Sequence, residues 1–194
     1  EEFSVKKATK LLLSLYPLRR DNLSQETSNS NLQIKQTLVY AKAHQAFYIN
    51  EHLDYIYIFY QQEAIKNPSA SVNEIASTFR NIQSNSFIRI FLKFITINAQ
   101  FLVSTLDFFQ TEKEPVFPFI ETCLNQLDQF LINNKNSTNF RSDLNTLIIS
   151  FNFQSNDFIF IFQSVFDKAY QKYETHIINH PARSFFQDSQ IFDP

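Results

Sequence analysis

Residues 147–162 read LIISFNFQSNDFIFIF, and the fold class turns on them. One parse is a β-hairpin, with LIISFNF and DFIFIF as strands and QSN as the turn. A tight hairpin turn needs residues that accept positive φ, and glycine is the usual one. The chain has no glycine anywhere. Beyond Phe162 the apolar residues continue as Val165, Phe166, Ala169 and Tyr170, which is helical spacing. The stretch is therefore read as helix, turn, helix.

The same spacing extends outward in both directions. Residues 117–133 place Ile120, Cys123, Leu124, Leu127, Phe130 and Leu131 on one helical stripe. The polar run NNKNSTN then leads to a helix from about Arg141, and Asn156 is placed to cap a last helix reaching about Ile178. Upstream, residues 86–110 are apolar on nearly every face, as in the central helix of a bundle. Ser71-x-x-Glu74 reads as a capping box opening a short helix to about Gln83. A helix from Leu32 to about Asn50 carries Ile34, Leu38, Ala41 and Phe47, and 53–65 continues as helix although DYIYIFY alternates like a strand. Asn67-Pro68 stops it. Residues 2–16 form a first helix before Pro17, and DNLSQETSNSN at 21–31 is a polar loop. The expected architecture is all-α, a multi-helix bundle or short helical solenoid of about six to eight helices. Residues 1–180 are taken as a single helical domain and 181–194 as an irregular tail.

Composition narrows the function. Of 194 residues, 44% are hydrophobic and 19% charged, so the chain is globular. Without glycine there is no Walker loop, dinucleotide fingerprint or G-x-S-x-G elbow. The single Cys123 excludes an internal disulfide, reads as a core thiol, and points to a reducing, cytoplasmic compartment. The chain also lacks methionine, so it reads as a fragment, or as trimmed or modified. Around Phe87 to Phe109 the longest apolar stretch is interrupted by Arg89, Lys93 and Asp107, as expected of a buried helix rather than a membrane span.

Candidate chemistry is sparse. His176 and His180 would share one helix face and could ligate a metal, but the Glu of H-E-x-x-H is missing and Pro181 ends the helix. Imidazolium at a helix C-terminus is the simpler reading. Glu112 and Glu114 read as solvated loop charge. No enzyme, metal or cofactor is expected. The run Tyr55, Tyr57, Phe59 and Tyr60 could stack bases, yet basic partners are few nearby, so core packing with hydroxyls reaching water is expected. A net charge of −2 argues against nucleic acid. The strongest lead is the basic cluster Lys6, Lys7, Lys10, Arg19 and Arg20, opposed only by Glu1, Glu2 and Asp21. Such a cluster can hold phosphates or anionic lipid headgroups.

Four stretches together resemble a known family. They are IETCLNQLDQFLINNK at 120–135, DLNTLIISFNFQSNDFIFIF at 143–162, IRIFLKFI at 88–95 and KAHQAFYINEHLDYIYIFY at 42–60. With Asn145, Ile148, Ile149, Phe151 and Asp157 they look like the ANTH domain, the lipid-binding module of endocytic clathrin adaptors. SVKKATK at 4–10 is similar to that family's Lys-rich first helix, although LLLSLYPLRR follows where the family has further lysines. The resemblance implies a peripheral membrane adaptor that binds phosphoinositide headgroups through the N-terminal basic residues and recruits coat or cargo proteins. The alternative is a helical scaffold subunit of a larger assembly, which the 23 Phe suit if some are exposed at an interface.

Overall fold

A computed structural model describes residues 30–109 and 119–188, with side chains described from residue 42 onward, Phe186 excepted. Among the described residues there are seven α-helices and no strand. The chain divides into two compact units, Glu1–Leu106 and Asp107–Pro194, where the sequence reading takes 1–180 as one domain.

The described residues of the first unit begin with α1, Ser30–Lys66, which runs through the expected break near Asn50. One residue, His52, leaves helical geometry at φ −106 and ψ 15 and kinks it. The strand-like alternation at 54–60 is helical throughout, and α1 ends before Asn67-Pro68. Helix α2 spans Ala70–Arg80. Its cap is Ser69, whose side chain accepts from Val72 N at 3.2 Å, rather than the expected Ser71. Ser69 follows Pro68 directly and already has the extended backbone a cap needs, so Ser71 lies inside the helix. Asn81 then serves two helices. It ends α2 with extended backbone, and its Oδ1 accepts from Ser84 N at 2.8 Å to cap α3, Ile82–Phe109. That is why α2 stops before Gln83 and α3 starts before 86.

Ile49 and Leu53 of α1, Ile75 and Phe79 of α2, and Ile88 and Leu92 of α3 make the core of this unit. Gln61 Nε2 donates to Ala76 O at 2.8 Å, and the Arg89–Asp54 ion pair joins α3 to α1. Helix α3 is also long and apolar enough to cross a membrane, a test that buried core helices pass as well. Its buried residues include Ile88, Ile90, Phe91, Leu92 and Phe94. Along this helix Phe91 and Phe94 are buried and Phe101 is half-buried. Leu102 is exposed, and its neighbour Val103 is buried.

The second unit holds α4 (Ile120–Asn136), α5 (Ser142–Ser150), α6 (Asn156–Tyr173) with a π-helical turn at Glu174–Ile178, and α7 (Arg183–Asp188). The hairpin alternative for 147–162 is replaced by a helical turn of known type. Asn152 has φ 61, its N–H donates to Ile149 O at 2.9 Å, and Phe153 N donates to Ile148 O at 3.2 Å. This paired closure is the Schellman motif, and Asn takes the left-handed position that glycine usually fills. Asn156 is the first helical residue rather than the cap. The turn is held instead by Asp157, which accepts from Gln154 N at 3.1 Å, and by a hydrogen bond from Ser155 to Asn145.

Phe158, Phe162 and Phe166 project from α6 at steps of four and are buried with Leu124, Leu131, Leu144 and Ile148. Phe130 meets Phe166 edge-on at 5.7 Å, and Phe140 meets Phe162 at 5.2 Å. On the expected α4 stripe, Leu124 and Leu131 are buried, while Ile120, Cys123, Leu127 and Phe130 are half-buried. Residues beyond Pro181 were expected to be irregular, but Arg183–Asp188 is helical, anchored by Arg183 on Glu121 at 2.8 Å.

Candidate functional site

The described part of α1 has two apolar stripes, each spaced by four, three and four residues. Ile49, Leu53, Ile56 and Tyr60 form one; Tyr48, His52, Tyr55 and Phe59 form the other. Successive residues on a helix lie about 100° apart, so the stripes occupy neighbouring faces. The first stripe turns toward Ile75, Phe79, Ile88 and Leu92, with Ile49 and Leu53 buried and Ile56 and Tyr60 packed on the cluster. The second faces outward. Tyr48 is 51% exposed, Tyr55 74% and Phe59 56%, and Ile58 beside them is 49% exposed.

The outward stripe is ordered by its own ring contacts. His52, at the kink, meets Tyr48 edge-on at 4.4 Å and Tyr55 at 6.3 Å. Phe59 meets Tyr60 edge-on at 5.3 Å. With Ile56 these side chains line an open groove of about 350 Å³. Aromatic rings offer large contact area at small entropic cost, and tyrosine adds a hydroxyl at the rim. The face carries no Ser, Thr or Cys and, from 43 to 65, the chain has no Lys or Arg. Stacked bases would need such cations to hold the phosphates.

The sequence reading places Tyr55, Tyr57, Phe59 and Tyr60 together in the core. The structure separates them: Tyr57 and Tyr60 pack inward, with Tyr57 edge-on to Phe79 at 6.0 Å, while Tyr55 and Phe59 face out. The signal was present in the second 4-3-4 spacing, which one core cannot absorb together with the first.

A second polar cluster lies in the other unit. Glu121, on the inward side of α4, is 3% exposed and pairs with Arg183 of α7. Glu121 Oε2, Asp128 Oδ1 and Arg183 Nη1 are buried and have no hydrogen-bond partner among the described residues. Nearby, the Tyr173 hydroxyl donates to Leu124 O at 2.8 Å. Burial pushes the Tyr173 phenol above its ordinary range, with Arg183 pulling the other way and Asp128, Glu121 and Tyr170 adding to the rise. The pair clasps α7 to α4, and the amphipathic pattern of α4 gave no warning of a buried carboxylate.

The remaining candidates disperse. Lys6, Lys7, Lys10, Arg19 and Arg20 lie outside the described residues, as do Glu112 and Glu114. His176 is exposed within the π-helical turn, and His180 Nδ1 accepts from Ala182 N at 3.1 Å at the entry to α7. Among the described residues no group of three His, Cys, Asp or Glu is placed to hold a metal. Burial pushes the Cys123 thiol up, away from the thiolate that a nucleophile needs.

Comparison with family models, with curated proteins and with solved structures found no match to this chain.

Proposed function

We propose that this chain is a helical protein-interaction module, a scaffold subunit that engages a partner protein through the aromatic face of α1. The observation that carries this reading is the exposure of Tyr48, Tyr55 and Phe59 on one helical stripe beside exposed Ile58. Contiguous exposed apolar surface of this kind marks interaction sites, and tyrosine is enriched where binding energy concentrates.

The peripheral-adaptor reading rests on Lys6, Lys7, Lys10, Arg19 and Arg20 and on an anionic membrane. One experiment separates the two. A photo-crosslinking residue is placed at 55, at 59, and at the exposed control position Lys172 in the other unit. The module reading expects discrete protein adducts from 55 and 59 and none from 172. Equal yields at all three positions would remove it. Flotation with vesicles containing phosphatidylinositol bisphosphate, lost on Lys6→Ala, Lys7→Ala and Lys10→Ala together, would put the adaptor in its place if the cross-links were also absent.

A further inference from the structure

The geometry of the aromatic face specifies its partner more closely, given the interaction-module reading. Its steps of four, three and four residues are those at which a second helix, lying alongside at a shallow angle, inserts its side chains. A ligand of irregular backbone has no such periodic demand. The flanks of the stripe follow from the same register. One flank holds Glu51, Ile58 and Ile65; the other holds Ile49, Ile56 and Glu63. Ile49 belongs to the core, whereas Ile58 and Ile65 are 49% and 78% exposed and widen the apolar surface.

The charges on these flanks have one sign. Glu51 is exposed, Glu63 is half-buried with its Oε1 accepting from Asn67 Nδ2 at 2.6 Å, and no Lys or Arg lies between Lys42 and Lys66. Asp54, one position farther round, is occupied by Arg89. The aromatic faces between the two glutamates are themselves electron-rich and attract cations. A helix lying on this stripe therefore meets carboxylates on both sides and π faces between them. Charges flanking a helix–helix seam choose the partner, and like charges exclude it. A second copy of this chain would bring only further carboxylates to the seam, and no Lys or Arg from 43 to 65 to pair with Glu51 and Glu63.

We propose that the aromatic face of α1 receives an amphipathic helix of a partner protein, apolar along its seam and bearing Lys or Arg on both flanks. The probe is a synthetic three-heptad helix with Leu at the seam and Lys at the flanks. Its twin carries Glu at the flanks. Binding of each to the full chain is followed by fluorescence anisotropy. The Lys helix should bind about tenfold more tightly than the Glu helix, and the preference should shrink in high salt. The double change Glu51→Lys and Glu63→Lys should reverse it. Tyr55→Ala with Phe59→Ala should abolish binding of both helices, with an unchanged circular dichroism spectrum showing that the fold survives.

Equal binding of the two helices would overturn the charge assignment. Failure of both, while cross-links from 55 and 59 persist, would sink the helical partner and leave the module reading standing. A dimer in sedimentation that Tyr55→Ala dissolves would give the face to a second copy instead. Binding of the Lys helix only after residues 1–20 are removed would give it to the chain's own Lys-rich start, and the partner helix would be refuted.

Discussion

Residues 54–60, DYIYIFY, and 157–162, DFIFIF, have nearly the same composition and the same alternation, and both are helical. Their faces are inverted. In α6 the pair four apart, Phe158 and Phe162, is buried, and Phe160 between them is 80% exposed. In α1 the aromatic pair four apart, Tyr55 and Phe59, faces out, and Tyr57 between them packs inward. A step of two residues turns a helix by about 200°, so alternation always divides such a run between opposite sides. Which side becomes core depends on what continues the stripe. Phe158 and Phe162 are extended by Phe166 and then Tyr173. Tyr57 is joined by Leu53, Ile56 and Tyr60, which continue the stripe begun at Ile49. The aromatic pair of α1 is thus left on the surface, while that of α6 fills its own unit.

The sharpest way to break this contrast is Phe162→Ala. A phenylalanine 2% exposed, edge-on to Phe140, should leave a cavity whose cost is about 3–5 kcal/mol in urea unfolding. A loss below about 1 kcal/mol would mean that 157–162 is no more committed to a core than 54–60.

Tyr173 sharpens the contrast at the end of the buried α6 stripe. Tyr173→Phe removes its hydrogen bond to Leu124 O and should cost about 1 kcal/mol at neutral pH. The wild-type phenol, held neutral above its ordinary value chiefly by burial, also predicts a pH dependence. Its contribution is fully present below the unfolded tyrosine value of about 10, and is lost as pH rises through the folded value. Unfolding followed across that range should show stability falling in the wild type and a flatter profile in Tyr173→Phe. Parallel profiles would remove the role given to this hydroxyl.

The smallest effect is expected at Phe59→Ala. Its ring is 56% exposed, so stability should change by no more than about 0.5 kcal/mol. A cost resembling that of Phe162→Ala would close the comparison, because both pairs would then be core.

Much of the helical plan is legible in local chemistry. Asn67-Pro68 ends α1, and the 120–131 stripe forms α4. What escaped is chemistry that can be satisfied in more than one place. Ser69 and Ser71 are both competent caps, and the chain direction set by Pro68 decides between them. Arg183 looks like part of a polar tail until Glu121, 62 positions earlier, holds it. At the candidate site, the aromatic residues were visible, but their division between core and surface was not.

The sequence alone determines that this chain is helical. Its 3.6-residue spacing, its lack of glycine and the tolerance of Asn152 for positive φ are local properties, settled within a turn or two of backbone. It also determines that α1 carries two apolar stripes. Only the tertiary structure decides that Ile49 and Leu53 go in while Tyr55 and Phe59 stay out. Hydrophobic burial is non-directional and rewards whichever face the rest of the chain can cover. Ile75 and Phe79 of α2 and Ile88 and Leu92 of α3 cover one of the two.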